Sequence, residues 1–514
     1  MPKLITHAKY HCFHPLAVKL LNFLDSKLFI FLVFLLGISF LSLSFIFFSP
    51  LICLLFLFGL LFIFLLYKIP EISIFILIIL NVTFFNHWNL PRINLFGGAS
   101  LLVGEVLVLL TFAILIIRNI KNPSFFHLKS FFLLPYTMLF LVWGFAIYIS
   151  LYYGNSFTES ADSLRKCFYH IIFFLVILTI HHKNQLKNMI YLLYGLGVIV
   201  TFLFSFMVLF DGAKYFTNPI FSVVIRELRV YDIGLEITSL GGGRICTDGP
   251  YLVSALFFAA FTTLINTTNK KHKIMFAIFS ILFLFTTIIT FGRMLWLTTL
   301  IGLFLLFIFS NKNAKLQFLK YATFLIVFSL LFSIILSFTP LFSKGKSHSM
   351  IDFIQKRFAS LFTKTTQEES FKYRYFESKK AIEHFKKYPL FGTGFPYSVT
   401  SILREEGDLL IFEKLGVGHS GYLDILCSTG IFGLLVYLYL SFYAITIGLK
   451  YFHLFLKDPI LYGVVLGLTI NYIRIMLNAT SQTDFFVHNC GSVIALSFGL
   501  IDVAIRIHTK KEAV

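Results

Sequence analysis

The sequence consists largely of long apolar runs, separated by short polar breaks, from Leu28 almost to the last residue. A helix of about 20 residues crosses the ~30 Å hydrocarbon core of a bilayer, because each residue adds about 1.5 Å. Backbone N–H and C=O groups find no water in lipid, so each span is predicted to be helical. The pattern predicts an all-α fold, a polytopic membrane helix bundle of about fourteen transmembrane helices within a range of about 12–14.

Polar segments divide the chain into five predicted regions. They are a cytoplasmic N-terminal segment (1–27), transmembrane helices 1–11 (28–338), an extracytoplasmic loop domain (339–420), transmembrane helices 12–14 (421–505) and a cytoplasmic tail (506–514). The individual spans are predicted near 28–48, 51–67, 71–85, 100–117, 131–151, 167–180, 188–209, 249–266, 274–291, 294–309, 320–338, 421–443, 459–477 and 487–505. No small-residue cleavage site follows the first span, which is therefore predicted to be an anchor.

Basic residues decide the predicted orientation of these spans. With the N-terminus inside, the cytoplasmic connections hold twenty-one Lys and Arg, whereas the five short outer connections hold four, namely Arg92, Arg165, Lys166 and Arg293. Lys and Arg collect in cytoplasmic loops, so both termini are predicted to be cytoplasmic. The 339–420 loop is then on the outer side, although it holds thirteen basic and nine acidic residues, because loops beyond about 60 residues cross regardless of charge.

The long outer loop has helical periodicity, and two amphipathic helices are predicted in it. Apolar residues in 349–362 fall at helical spacing. A second helix is predicted from about Ser370 to Tyr388, and it ends before Pro389. Positions 371, 374, 378, 382 and 385 of this helix form a stripe that is predicted to be buried. Arg374 is the one charged residue of that stripe.

Composition excludes several functional classes. The chain has 43 Lys and Arg against 24 Asp and Glu, but the membrane topology explains this charge and no nucleic-acid-binding motif accompanies it. The six cysteines are widely spaced and include no C-x-x-C pair, so neither a disulfide framework nor a thiolate metal site is predicted. No Asp-x-Asp metal motif is present. We therefore predict no cofactor, no metal and no nucleic-acid partner.

Three residues on the predicted outer side are candidates for chemistry. Arg293 lies in a tight turn between spans nine and ten, where a charge is costly and marks a functional site by default. Arg293 and Arg374 have an alternative interpretation, in which their stems pack on apolar neighbours and their charges reach the interface. His419 precedes span twelve, where a lone histidine is more often structural. The glycine-rich turn at 389–396 is predicted to return the chain toward the membrane and to bring Arg374 near His419.

A spaced motif begins at that turn. Pro-Leu-Phe-Gly-Thr-Gly (389–394) is followed by His419-Ser420, nine residues, Gly430, two residues and Gly433. This arrangement resembles the signature of the O-antigen ligase and O-antigen polymerase superfamily, in which His and Asn, Ser or Gln precede two spaced glycines. The match to the ligase pattern contains no gap.

Other positions resemble further features of the superfamily. Its members have an Arg that opens a span, matched by Arg293, and a second Arg in the outer-loop helix, matched by Arg374. The spacings of 81 and 45 residues between Arg293, Arg374 and His419 suit that arrangement. The resemblance implies that the catalytic residues are His419, Arg293 and Arg374. The predicted substrate-binding residues are Arg244, Ser420, Gly392 and Gly394, together with Tyr422, whose ring suits stacking on a sugar face.

The resemblance implies a membrane glycosyltransferase in a bacterial inner membrane, with its active site facing the periplasm among membrane lipids. Its members transfer a glycan from an undecaprenyl-pyrophosphate donor to an acceptor hydroxyl, here expected on lipid A–core, without a metal and with inversion. Two guanidiniums suit the charge on the leaving pyrophosphate, and His419 suits a general base or a group that orients the acceptor.

Two alternatives to the ligase stay open. The first is a polymerase that joins lipid-linked repeat units, because it uses the same donor chemistry with a lipid-linked glycan acceptor. The second is a non-enzymatic transporter or flippase. Transporters usually show internal repeats or paired broken spans near the midplane, and no repeat is visible in this sequence.

Overall fold

The structure, a computed structural model, is described at residues 50–82, 92–94, 100–119, 130–209, 249–290, 292–337, 369–395, 399–406, 409–415, 420–481 and 488–512. The predicted first span and the predicted loop helix at 349–362 lie outside these residues. Contacts divide the chain into two compact units, 1–73 with 107–128 and 74–106 with 129–514. The candidate site described below belongs to the second unit.

Helices dominate the described residues and follow the predicted spans closely. Thirteen of the fourteen predicted spans overlap a helix. The helices are α1 (Pro50–Lys68), α2 (Glu71–Val82), α3 (Val103–Asn119), α4 (Leu133–Tyr152), α5 (Phe157–Phe168), α6 (Ile172–Thr179), α7 (Lys183–Leu209), α8 (Gly249–Asn266), α9 (Lys270–Ile289), α10 (Arg293–Phe309), α11 (Lys312–Ser337), α12 (Glu369–Lys387), α13 (Gly421–Tyr451), α14 (Pro459–Asn478) and α15 (His488–Glu512). Within α14, Gly463–Gly467 is π-helical.

Seven helices in the described part of the chain are long and apolar enough to cross a membrane. The number is eight if Gly59–Lys68 and Glu71–Asn81, on either side of Pro70, form one broken span. Two shorter apolar helices, Tyr169–Thr179 and Met294–Phe309, do not reach the required length. The fold is therefore that of a polytopic helical membrane protein, and the count of fourteen spans stays a prediction.

The centre of the larger unit is formed by α8, α14 and α15. Nearly all of their apolar stretches are buried, between 83% and 89% of each, whereas only 33% of α4 or α9 is buried. A helix that is apolar all round belongs in the interior of a bundle, where every face meets another helix. The peripheral helices keep a broad apolar surface, as lipid-facing helices do.

Close approach between α8 and α14 depends on two glycines of the π-helical stretch. A Cβ atom on Gly467 would lie 2.5 Å from the carbonyl oxygen of Phe258 and 2.7 Å from Cα of Ala259. Gly463 lies in the same way against Ala259 and Thr263. The earlier glycine of α14, Gly463, contacts a later part of α8 than Gly467 does, so α8 and α14 are antiparallel. Small residues at helix interfaces are the usual means of close packing in membranes.

Ion pairs join helices at the predicted cytoplasmic end. Asp502 of α15 is fully buried, pairs with Arg506 at 2.6 Å and accepts a 2.8 Å hydrogen bond from the backbone N–H of Phe131. Lys183 and Lys187 of α7 lie 2.7 and 2.9 Å from the carboxylate of Asp458, just before α14. The first set of contacts fixes the start of α4 against α15, and the second fixes the start of α7 against the start of α14.

The prediction of an all-α fold left out two antiparallel strand pairs. β1 (Arg92–Asn94) pairs with β2 (Ser100–Leu102), and β3 (Val399–Glu406) pairs with β4 (Leu409–Leu415). The second pair lies in the segment 339–420, which was predicted to be helical. Its sequence signal is the Gly407-Asp408 pair, typical of a two-residue hairpin connection, between the mixed run Val399–Glu406 and the apolar-rich run Leu409–Leu415. The helical periodicity upstream obscured this signal.

The Gly467 contact generates a matched pair of substitutions. In Gly467→Ala the new methyl group meets backbone atoms of α8, which cannot rotate away, so we expect a loss of about 1–3 kcal/mol. In Gly195→Ala nothing lies within 4 Å of the new methyl group, so stability stays the same or rises by up to about 1 kcal/mol. Thermal unfolding of the two purified variants in detergent measures the difference. Equal melting temperatures would contradict the close packing of α8 on α14.

Candidate functional site

The spaced motif forms a broken helix with a turn inserted into the break. α13 is interrupted at Gly430, whose backbone has φ 66° and ψ −166°. The turn at 389–394, which follows α12, lies against this interruption. A left-handed φ costs a residue with a Cβ roughly 1–2 kcal/mol, so glycine is favoured at the break.

Backbone groups of the turn replace the hydrogen bonds that the helix loses at the break. The N–H groups of Thr393 and Gly394 donate to the carbonyls of Cys427 and Ser428 at 3.0 and 2.8 Å. In the other direction, the N–H groups of Ile431 and Phe432 donate to the carbonyls of Pro389 and Leu390 at 2.9 and 3.4 Å. A helix end buried in apolar surroundings needs such partners, because unpaired backbone groups are costly there.

Glycines allow the turn to approach two helices at once. Gly392 and Gly394 have φ values of 65° and 77°. A Cβ on Gly392 would collide with the backbone at Cys427 and Ser428, and a Cβ on Gly394 would collide with the backbone of α4 near Ser150. Both glycines therefore have a packing role. The prediction that they also bind substrate stays a prediction.

The helix that carries Arg374 packs on the first half of α13. The thiol of Cys427 donates to the carbonyl of Ala381 at 3.3 Å, and Nε2 of His384 lies 3.0 Å from the hydroxyl of Thr393. Burial at His384 lowers its pKa, and the neighbouring Lys387 lowers it further. The histidine is therefore mainly neutral near pH 7 and can share a hydrogen bond with the Thr393 hydroxyl.

The buried face of α12 differs from the predicted stripe. Glu377 and Ala381 are buried, Arg374 is half-buried, and Ile382 is 44% exposed. The contact face is thus rotated by about one residue, since it is the small Ala381 that approaches α13. Arg374 lies at the edge of the contact.

Arg374 and Ser420 lie at the same end of the contact between α12 and α13. Helix α12 meets α13 at Ala381 and Cys427, and the turn that follows α12 meets α13 further along, at Pro389 and Ile431, so the chain from α12 into the turn advances in the same general direction as α13. Arg374 and Ser420 each precede that first contact by seven residues, or about 10 Å of helix. Helix α12, which carries Arg374, therefore lies beside the segment that begins at Ser420, the second residue of the motif's His-Ser pair.

The start of α13 is attached to the end of α14. The N–H of Gly421 donates to the carbonyl of Ala479 at 2.9 Å, and the Tyr422 hydroxyl donates to the carbonyl of Met476 at 2.9 Å. Ser420 is half-buried and has extended backbone geometry, with no side-chain cap on the helix. Tyr422 thus has a structural partner, and its predicted contact with substrate stays a prediction.

Arg293 is the first residue of α10, and Gly292 precedes the helix with an extended backbone. Trp296 fixes the tight turn before it, because its indole N–H donates to the carbonyl of Ile288 at 3.1 Å. α10 packs along residues 468–478 of α14, whose end contacts Gly421. The start of α13 is therefore next to the end of α14, and α10 packs along the same part of α14.

The structure describes only some of the predicted site residues. His419 and Arg244 lie outside the described residues, and for Arg293 only the backbone is described. The residues with described side chains or turn geometry are Arg374, Ser420, Tyr422, Gly392 and Gly394. Nothing in the geometry tests a catalytic or substrate-binding role for any of them.

Residues 278–438 match the family model described as O-antigen ligase. This region of the chain therefore belongs to the O-antigen ligase family. No curated protein matches the sequence. The matched region runs from within α9 to the middle of α13, so it contains Arg293, Arg374, His419 and the glycines of the broken helix. The match supports a ligase- or polymerase-like function in polysaccharide synthesis, which is chemistry of the glycosyltransferase type.

Helix α14 has a buried polar stripe that the sequence analysis did not predict. Asn471, Arg474 and Asn478 lie on one face of α14 at helical spacing, and all three are at least 99% buried. Nε of Arg474 donates to Oδ1 of Asn471 at 3.0 Å. The signal was present in the sequence as polar residues at i, i+3 and i+7 of an apolar span, but the mean hydropathy of the span obscured it. The stripe lies outside the matched region.

The broken helix α13 generates a second substitution pair. Gly430→Ala forces a Cβ toward the carbonyl of Leu390 at a left-handed φ, so the turn has to separate from α13. We expect a lower melting temperature and faster proteolysis of the 339–420 segment. Gly144→Ala in α4 is the control, because nothing lies within 4 Å of its new methyl group. Equal protease sensitivity in the two variants would argue against insertion of the turn.

The contact between His384 and Thr393 predicts a pH dependence. Burial holds the pKa of His384 below its unfolded value of about 6.5, so the folded state favours the neutral ring. The unfolded chain therefore binds the proton first, and stability is lost as the pH falls from about 6.5 through the folded pKa. As the pH is lowered from about 7.5 to about 5, the melting temperature of His384→Gln should fall less than that of the wild type. Identical slopes would contradict the prediction.

Proposed function

We propose that the protein is a membrane glycosyltransferase of the O-antigen ligase type, which transfers a glycan from an undecaprenyl-pyrophosphate donor to an acceptor hydroxyl. The observation that carries the proposal is the backbone exchange between the 389–394 turn and the break at Gly430. This exchange holds the Arg374 helix against the helix that begins at Ser420, next to the end of α14. The described parts of the motif, namely the 389–394 turn, Ser420 and the break at Gly430, are thus held together, which supports the proposal of a preorganised site.

The leaving group explains the need for guanidinium groups. Transfer breaks the bond between C1 of the sugar and the pyrophosphate oxygen, and the bonding electrons stay on that oxygen. Arg293 and Arg374 stabilise the resulting negative charge, because guanidinium stays protonated and binds phosphate oxygens in a bidentate manner. In our proposal no metal takes part in this step.

The acceptor hydroxyl forms the new bond to C1 as it loses its proton. His419, whose unperturbed pKa is about 6.5, accepts that proton as a general base or holds the hydroxyl in line with C1. Attack from the side opposite the pyrophosphate inverts the anomeric carbon. Ser420 and Arg244 are proposed to contact the donor or acceptor.

We propose that the site faces the periplasm of a bacterial inner membrane, with both termini in the cytoplasm. The end of the bundle opposite the motif carries the ion pairs of Lys183, Lys187 and Arg506. Enrichment of Lys and Arg at that end supports a cytoplasmic assignment. The motif end then meets the outer leaflet, where lipid-linked glycans and the proposed lipid A–core acceptor are both accessible.

A complementation experiment tests the reaction and the acceptor together. In a deletion strain, we expect loss of long lipopolysaccharide chains, with polymer accumulating on the lipid carrier. The wild-type gene should restore the chains. Core bearing a single repeat unit would instead indicate a polymerase. An unchanged banding pattern would count against the proposed acceptor and favour the transporter.

The same strain tests the site residues. Arg293→Ala, Arg374→Ala and His419→Ala should each lower transfer by about 100-fold or more, since each removes a group that acts in the transition state. Membrane levels of the variants, measured by immunoblot, should stay unchanged. Lys379→Ala is the matched control for Arg374, because it removes an exposed charge from the same helix. Full complementation by any of the three site variants would remove that residue from the proposed mechanism.

A further inference from the structure

Arg474 is a fully buried arginine inside an apolar membrane-spanning helix. Asn471 and Asn478 extend the polar surface above and below it on the same face of α14. A charged side chain within a membrane span is costly, and such residues usually mark the path or binding site of a charged ligand. The helix α14 otherwise consists mainly of apolar residues in the described structure.

The position of Arg474 along α14 follows from the contacts of that helix. Gly467 touches the backbone of α8 at Phe258 and Ala259. Arg474 follows seven residues later, so it lies on nearly the same face and about 10 Å closer to the end that contacts Gly421. Because α8 and α14 are antiparallel, the N-terminal end of α8 at Gly249 lies toward this position. N-terminal N–H groups of a helix favour a bound anion.

The depth of Arg474 differs from that of the two motif arginines. Arg293 opens α10, and Arg374 lies on a helix outside the span region. Arg474 lies about one turn inside α14, which ends at Asn478. In a lipid pyrophosphate, the phosphate that carries the hydrocarbon chain lies closer to the membrane interior than the phosphate that carries the sugar.

We propose that Arg474 binds the lipid-bearing phosphate of the donor pyrophosphate, and this proposal rests on the proposed function. Asn471 accepts a hydrogen bond from Nε of Arg474 and so fixes the plane of the guanidinium. A planar, permanently protonated guanidinium suits phosphate oxygens better than an ammonium group does. In this proposal Arg474 binds the phosphate that carries the lipid, whereas Arg293 and Arg374 bind the phosphate that carries the sugar.

Binding measurements on the purified full-length protein in nanodiscs test the assignment without requiring transfer. The probes are undecaprenyl pyrophosphate, undecaprenyl monophosphate and uncharged undecaprenol, titrated by microscale thermophoresis. Arg474→Gln should weaken both phosphorylated probes by about tenfold or more, as expected when a hydrogen-bonded charge is lost. Its affinity for undecaprenol should stay unchanged. Arg474→Lys should be weakened less than Arg474→Gln, since it keeps the charge without the planar fork.

Tyr472→Phe is the matched control. Tyr472 is also fully buried in α14, but its hydroxyl lies 2.6 Å from that of Ser441 in α13, on another face of the helix. This variant should bind all three probes as the wild type does. If Arg474→Gln does not give a monodisperse, cooperatively melting protein, the binding measurements are made on Arg474→Lys instead. Wild-type affinity of Arg474→Lys for the phosphorylated probes would then overturn the proposal.

The outcomes separate this inference from the proposed function. If the wild type binds undecaprenol as tightly as undecaprenyl pyrophosphate, the proposed function fails. If the wild type prefers the phosphorylated lipids and Arg474→Gln does too, the function stands and the role of Arg474 is overturned. Weakening of the pyrophosphate alone would move Arg474 to the sugar side and overturn its assignment to the lipid-bearing phosphate.

Discussion

The exchange of backbone hydrogen bonds between the 389–394 turn and the broken helix α13 is the constraint on which the rest of the site depends. Without the turn, the carbonyls of Cys427 and Ser428 and the N–H groups of Ile431 and Phe432 would lack partners in an apolar environment. Without the break, the turn would have no polar groups to bind. Each element therefore requires the other, which couples a segment outside the span region to a helix inside it.

The sequence predicted the helices well because apolar length is a strong signal in membrane proteins. It also predicted the end of α12 before Pro389, and the motif selected the glycines at 430 and 433. The sequence did not explain why glycine is needed at the break, since positive φ values and close backbone contacts depend on partners distant in the chain. The β3–β4 hairpin was missed because two predicted helices dominated the interpretation of that loop.

At the candidate site, too, the features that depend on neighbouring residues were predictable from the sequence, whereas those that depend on distant contacts were not. Arg374 was identified on the correct helix, but the buried face was rotated, because the small side chain of Ala381 decides which surface approaches Cys427. Arg474 was missed altogether. A single arginine hardly changes the mean hydropathy of a twenty-residue span, and only the packed structure shows that its side chain is buried.

The π-helical stretch at Gly463–Gly467 sets the rotational phase of α14. Each residue of an α-helix turns the chain by about 100°, and a π-turn inserts one extra residue into the winding. The outer half of α14 is therefore turned relative to its inner half by about that angle. Ion-paired Asp458 precedes the stretch and the asparagine–arginine face follows it, so one local irregularity determines which neighbour that face meets. A deletion of one residue there would redirect Arg474 without altering any side chain around it.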